Sequence, residues 1–586
     1  MARVSGPGFR ELYTPKLVTI LRDHYGAADL RADAVAGLTV AIVALPLSMA
    51  IAIASGVTPD RGLYAAIVGG FIVSMLGGSR FQIGGPAGAF IVLVAATVAQ
   101  HGLDGLLLAT FLSGLMLMAI GLLRLGTFVK YIPYPVTVGF TSAIAVVIFV
   151  SQVKELLGLR LTGPEPGAIL PKLHALGAAL PSVSVGACAV ALLTIAIIII
   201  VRRFRPHWPA FLVAIVVAAL LAAAAGLDVA TIGTRFGGIP RSLPAPHLPD
   251  LSLDRIVAVL PAALSFALLG SIESLLSAVV ADSMTGRRHR SNAELVAQGI
   301  ANIASALFGG LCVTGTIART ATNVRAGAHG PVAGMLHSLF LLIFLLIAAP
   351  LASYIPLAAL AAVLAMVCWN MAEKHEFATL LRASRGDAVV LLVTFLLVIF
   401  RDLTEGILAG FGLGALLFLH RMAEAVAVEH GGPLLSPADR ADREGGGEEG
   451  YDAALASDPG IVLCRISGAF FFGAAATVGA ALDRIGDQPG AYIVDFSDVP
   501  LLDSTAAATI AGLAAKARRQ GATLYLTGTR SSVRRVLLAH GVRPPFARFR
   551  KSVEAAVASA RKGQADAERD GARQRSPSER LRGGSI

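Results

Sequence analysis

From Ala34 to His420 the chain is one apolar stretch after another, about fourteen of them, most near the roughly 20 residues that cross a bilayer as a helix. Lipid offers no partner for backbone N–H and C=O groups, so a chain of this kind has few choices beyond a bundle of membrane helices. The composition agrees: 586 residues, 55% hydrophobic and 15% charged, with a mean hydropathy of +0.71. The fold class is therefore an α-helical polytopic membrane protein. The net charge of +11 does not argue for nucleic acid, because the basic residues fall largely in loops between spans. Cys188, Cys312, Cys368 and Cys464 are scattered, with no disulfide or metal spacing, and read as small buried hydrophobes. Nothing in the pattern calls for an enzyme or a cofactor.

Residues 1–32 form a polar, basic arm without the short apolar core and small-residue cleavage site of a signal peptide. With the N-terminus taken as cytoplasmic, one side collects Arg80, Arg124, Arg202, Arg203, Arg205, Arg287, Arg288 and Arg290 among others. The opposite side keeps chiefly Lys154, Arg160, Lys172, Arg235, Arg241 and Arg401. Positive charge accumulates inside, and an even number of spans returns the chain to its starting side, so both termini are expected in the cytoplasm.

Two segments are interrupted. In the third, Gly84, Gly85 and Pro86 stop one backbone conformation, and Pro86 can open a new helix at its first turn. In the tenth, Gly309-Gly310 and then Thr314-Gly315-Thr316 do the same. A half-helix that starts inside the membrane presents unpaired N–H groups and a partial positive charge, so two of them make an anion cradle. Ala87, Gly88 and Gly315 let an anion approach the backbone, and the Thr316 hydroxyl can add a hydrogen bond. The competing reading gives the glycines to helix packing. Leu76-Gly77-Gly78 and Phe308-Gly309-Gly310 precede the two breaks, and Tyr131-Ile132-Pro133 returns as Tyr354-Ile355-Pro356, which suggests two related halves, about 33–226 and 256–421.

Glu273 is a lone carboxylate in an apolar helix, with Ser277 one turn on. A carboxylate there is a natural proton carrier or, with Ser277 and carbonyls, a Na⁺ ligand; alternatively it makes a helix–helix hydrogen bond. Arg319, one turn into the second half-helix, can attract the anion or neutralise Glu273. Asp282, Asn302, Asn323 and Arg325 read as capping or solvated residues near segment ends.

Residues 422–460 are polar, acidic and Gly-rich, and read as a linker. From 461 to 562 short strand-like runs alternate with helical ones, as in a small α/β domain. Residues 563–586 read as a disordered tail. Asp503-Ser504-Thr505 falls at a strand-to-helix turn, where Ser504 either accepts a phosphate or caps the helix.

AGLTVAIVALPLSMAIAIASGVTPDRGLY, GGPAGAF, SIESLLSAVVADSMTG and VTGTIARTATNVRAGA resemble the signatures of the sulfate permease (SulP) family of anion transporters, and VDFSDVPLLDSTA resembles its C-terminal STAS domain. The resemblance implies a seven-plus-seven inverted repeat within 33–421, a core group moving against a gate group in elevator fashion, a homodimer, and a cytoplasmic STAS domain able to bind a protein partner. It places the anion at Leu47, Ile51, Ala87, Gly88, Gly315 and Thr316, with Arg319 beside them, and the coupling ion at Glu273 and Ser277. Na⁺-dependent bicarbonate members look to have Asp and Thr at those last two positions, which favours H⁺ here. The motif pattern is most similar to the bacterial C4-dicarboxylate branch. The expectation is an inner-membrane symporter of a small anion such as a C4-dicarboxylate, with sulfate/H⁺ or bicarbonate/Na⁺ symport as alternatives of the same fold. A channel-like or regulatory membrane protein is the alternative of another class.

Overall fold

A computed structural model describes residues 12–23, 25–126, 133–163, 165–205, 208–401, 403–430, 460–483 and 490–575. The chain divides into two compact units, Met1–Gly414 and Ala415–Ile586.

Among the described residues, eight helices are long and apolar enough to cross a membrane, and shorter or broken helices complete a set of fourteen spans. In the first half they are Ala27–Ala54; Pro59–Tyr64 continued through a π turn at Ala65–Gly69 into Gly70–Leu76; the third and fourth, both within Ile91–Leu122 and divided where Gly102 turns to φ 69°; Tyr134–Leu157; Val185–Phe204; and Ala210–Ala224. The second half repeats the pattern with Leu253–Thr285, Ser291–Leu307, Ile317–Arg325, Val332–Ala352, Leu357–Met371, Arg385–Phe400 and Leu403–Glu424. The short motifs fall at matching places. Gly77 ends the second span and Gly309 follows the end of the ninth, while Pro133 and Pro356 are the N-caps of the fifth and twelfth. Proline suits these starts, since its missing N–H would have had no helical partner there. Tyr131 and Ile132, and so half of one motif, lie outside the described residues.

Two groups of spans emerge from the packing. The ninth lies against the third and fourth, the eighth against the fourth, and the eleventh against the first; the fifth lies against the twelfth and thirteenth, and the sixth against the seventh and twelfth. With the fourteenth lying against the thirteenth at Gly406 and Gly410, spans 1–4 and 8–11 form a core group, and 5–7 and 12–14 a gate group. Small residues permit the closest contacts: a Cβ on Gly114 would lie 2.6 Å from the Gly299 carbonyl oxygen, and one on Gly299 2.5 Å from that of Gly114. Between lipid-embedded helices such backbone approach supplies the packing that the hydrophobic effect does not.

The second unit holds a five-stranded sheet, in the order β3 (Ala427–His430), β4 (Ile461–Ser467), β5 (Ala491–Asp495), β6 (Thr523–Thr527) and β7 (Ala547–Phe549). β3 is antiparallel to β4 and the remaining pairs are parallel. Every residue of β5 is buried, as befits a parallel strand covered on both faces. One face packs under Ser504–Arg519 and Ser531–Ala539, the other under Val553–Arg575 through Ala556, Val557 and Ala560. Two boundaries change. β3 lies inside the 422–460 stretch read as linker, because a four-residue edge strand is specified by its partner rather than by its own composition. The last helix runs to Arg575, past the expected end at 562, extending a face anchored on the sheet; 576–586 and most of the linker lie outside the described residues. Buried in this unit, the Cys464 thiol is pushed up to about 12, so it packs as an inert hydrophobe.

Candidate anion site

The two broken spans meet. β1 (Gly84–Gly85) and β2 (Thr314–Gly315) form a two-residue antiparallel ladder, Gly84 opposite Gly315 and Gly85 opposite Thr314. Only glycine fits at three of these four places, for a Cβ on Gly84 would press on the Val73 side chain at 2.7 Å. A Cβ on Gly85 would collide with the Arg319 guanidinium, and one on Gly315 with the Gln82 amide. Beyond the ladder each chain turns into a helix. The first starts as a 3₁₀ turn at Gly88–Phe90 with Ala87 as N-cap, and the second is Ile317–Arg325 with Thr316 as N-cap. Neither start is capped by a side chain. Both therefore keep first-turn N–H groups, at Gly88 and Ala89 and at Ile317 and Ala318, for a ligand that carries negative charge. Pro86 does not open the first helix. It stays in the extended stretch, where its carbonyl accepts from Arg319 Nη2 at 3.3 Å.

A shell of buried side chains holds the ladder. Ser274 Oγ lies 2.8 Å from Thr314 Oγ1 and accepts from Gly315 N at 3.2 Å. Thr320 Oγ1 accepts from Ile83 N at 3.1 Å and from Ser277 Oγ at 3.0 Å. Gln82 Nε2 donates to the Ser274 carbonyl at 3.1 Å. Asn302 donates to the Val313 carbonyl at 2.7 Å and accepts from Val313 N at 2.8 Å, and Asn323 donates to the Phe81 carbonyl at 2.9 Å. Non-helical backbone at membrane depth survives only where protein satisfies it, and these residues do so.

The expected site residues divide. Ala87, Gly88, Gly315 and Thr316 converge at the two helix starts, and Leu47 and Ile51 are buried on the first span. The Thr316 hydroxyl, however, donates to the Ile83 carbonyl at 3.2 Å, so its proton is not pointed at a ligand. Arg319 is 1% exposed and does not pair with Glu273; its Nη2 reaches Ser48 Oγ at 3.1 Å as well as Pro86. The guanidinium stands behind the Gly85-Pro86 turn, within Cβ-collision distance of Gly85. Glu273, 7% exposed, makes no hydrogen bond or ion pair among the described residues, and Ser277 turns its hydroxyl to Thr320 instead. Asn302 and Asn323 are buried clamps rather than capping or solvated residues, whereas Arg325 is exposed and Asp282 accepts from His289.

Sequence reasoning missed the facing wall. A Cβ on Gly88 would lie 3.6 Å from Ile148 Cδ1 on the fifth span and 3.7 Å from Met371 Sδ on the twelfth, so the gate group presents an apolar surface to the helix starts. It also missed Glu294, fully buried on the ninth span, which accepts from Ser79 N at 3.0 Å and from Gln298 Nε2 at 3.1 Å. Glu294, Gln298 and Asn302 recur every four residues, a polar stripe in an apolar span that periodicity could have found.

In the second unit Ser504 is exposed at the first position of its helix, but it does not cap it. The cap is Asp503, which accepts from Ala506 N at 2.9 Å and from Phe472 N at 2.9 Å. A phosphate on Ser504 would have to share that helix end with the Asp503 carboxylate.

Comparison with known proteins agrees with this geometry. The sulfate permease family model matches residues 30–394, and the STAS domain model residues 452–556. The chain is 39% identical over 517 residues to the candidate sulfate transporter YvdB of Bacillus subtilis (strain 168), covering 88% of this chain and 94% of that one. It is 31% identical over 522 residues to the bicarbonate transporter BicA of Synechocystis sp., covering 87% and 90%. Among solved structures it matches the murine solute carrier 26 family member A9 anion transporter in the inward-facing state, with a TM-score of 0.82 at 19% identity over 96% of both chains. It also matches the transmembrane domain of a cyanobacterial bicarbonate transporter BicA, with a TM-score of 0.58 at 32% identity over 67% of this chain and 98% of that one. The sulfate permease model covers well over half of the chain and the STAS model follows it, so the chain belongs to the sulfate permease family of anion transporters.

Proposed function

We propose that the protein carries a small dianion, sulfate foremost, across the cell's inner membrane together with a proton, the core group moving against the gate group. The observation that supports this most directly is the meeting of two uncapped helix starts opposite the apolar Ile148 and Met371. The N–H groups hold the anion, Arg319 supplies positive potential from behind, and the smooth facing wall offers no polar contact to break when the core group slides. Glu273 is the proton carrier. A dianion entering beside an ionised carboxylate would meet like charge in a low-dielectric setting, so binding of the anion and protonation of Glu273 favour each other. A Na⁺ ion would instead need about six oxygen ligands, by analogy with other hard cations, and the Ser277 hydroxyl is committed to Thr320. Relatives named for sulfate and bicarbonate favour inorganic anions, while the C4-dicarboxylate reading rests on motif resemblance. Cytoplasmic termini and a homodimer belong to the same proposal.

The test is uptake of labelled sulfate, bicarbonate and succinate into proteoliposomes with and without an acid-outside pH gradient. Sulfate is expected to accumulate in response to the gradient, and Glu273→Gln to keep anion binding but lose the response to pH. No gradient-driven accumulation of any of the three overturns the symporter. A pH response unchanged in Glu273→Gln removes the carrier role from that residue.

A further inference from the structure

Three cations, Lys154, Arg160 and Arg235, converge on one cavity of the membrane unit. Lys154 and Glu155 end the fifth span, Arg160 follows on the loop, and Arg235 lies on the short helix Ile232–Phe236 after the seventh span. They line a half-open cavity of about 710 Å³ together with Asp228 and the start of the sixth span at Ser184. Glu155 is held by Arg235 and, at 3.8 Å, by Lys154, so one carboxylate answers two cations. Asp228 is the other carboxylate of the lining, and the backbone N–H of Arg160 is fixed by Ser182 Oγ at 2.9 Å. Three cations against two carboxylates leave the cavity positive, and the first turn of the 20-residue sixth span adds its dipole.

Every lining residue comes from gate spans or their loops. The fifth span connects it to the anion site. Six residues separate Lys154 from Ile148, about 9 Å along a helix.

We propose that this cavity is a capture site for a small oxyanion, which collects the ion from solution and delivers it to the helix starts. The inference rests on the transport reading for its purpose but not for its detection. Its probe is Gly163→Cys, because that glycine lines the cavity and an added Cβ there meets nothing within 4 Å. In a Cys188→Ser background, an anionic methanethiosulfonate is expected to label Cys at this position about tenfold faster than a cationic one of similar size, a preference that falls with ionic strength. Sulfate should slow the labelling. Lys154→Gln with Arg160→Gln leaves one cation against two carboxylates, so it should reverse the preference toward the cationic reagent and, in proteoliposomes at low ionic strength, raise the KM for uptake severalfold with kcat unchanged. Equal or faster labelling by the cation while Lys154 and Arg160 are present, absence of sulfate protection, or an unchanged KM in the double variant overturns the proposal. Labelling needs no flux, so a parent protein that labels as expected yet transports nothing counts against the proposed function and not against this site.

Discussion

The two helix starts that meet at the candidate anion site are built differently. The first, Gly84 to Ala89, offers backbone and small side chains, and none of its own side chains makes a hydrogen bond that holds the ladder. The second, Thr314 to Asn323, is dense with side chains that reach out: Thr314 to Ser274, Thr316 to Ile83, Arg319 to Ser48 and Pro86, Thr320 to Ile83, and Asn323 to Phe81. The repeat therefore reproduces a shape without reproducing its chemistry. One half serves as a surface and the other as the frame that holds both, so equivalent substitutions in the two halves should not have equivalent effects.

The largest effect is expected at Gly315→Ala, whose Cβ would collide with the Gln82 amide. Forcing that contact costs about 1–3 kcal/mol and should abolish uptake, with a lowered unfolding temperature in detergent. Survival of transport in this variant would remove the ladder from the argument. Next comes Arg319→Met, which leaves the Ser48 hydroxyl and Pro86 carbonyl without their cation and takes away the local charge. A loss of about 2–3 kcal/mol should appear as a KM raised on the order of 30-fold or more, and Arg319→Lys should recover part of it. Gly88→Ala, on the surface half, adds a methyl in ordinary contact with Ile148 and Met371. The protein should fold normally, with KM raised severalfold and more for succinate than for sulfate in competition assays. Thr316→Val should do least. Its hydroxyl donates to a carbonyl that the Thr316 N–H already serves at 3.0 Å, so a change within about 1 kcal/mol is expected in sulfate affinity by isothermal titration. A larger loss would return the hydroxyl to the anion.

Spans, breaks and repeat were legible because each leaves a local mark: length of apolar run, glycine and proline at the interruptions, and Pro133 and Pro356 at matching helix starts. Of the candidate site, the meeting of the two interrupted backbones was legible in the glycines that mark them. What each polar side chain does was not. Asn323 meets the Phe81 carbonyl across 242 residues and Thr320 meets Ile83 across 237, and no local pattern names such a partner. Thr316 and Ser277 were given to ligands because hydroxyls near a site invite it, whereas in the structure Thr316 serves the Ile83 carbonyl and Ser277 the Thr320 hydroxyl. Ile148 and Met371 escaped because an apolar residue on an apolar span carries no signal of which face it occupies.

The ladder also sets a timetable for biosynthesis. Ile83 accepts from Thr316, 233 residues later in the chain, and ribosomes add about 5–20 residues per second. For some ten to fifty seconds, by that rate, the first half-helix must sit in the bilayer with its broken backbone unanswered while the intervening spans are made. A nascent chain in that interval is a natural client for insertion machinery that shields polar backbone, and a ribosome stalled between the two halves would leave a fragment with its most demanding backbone exposed.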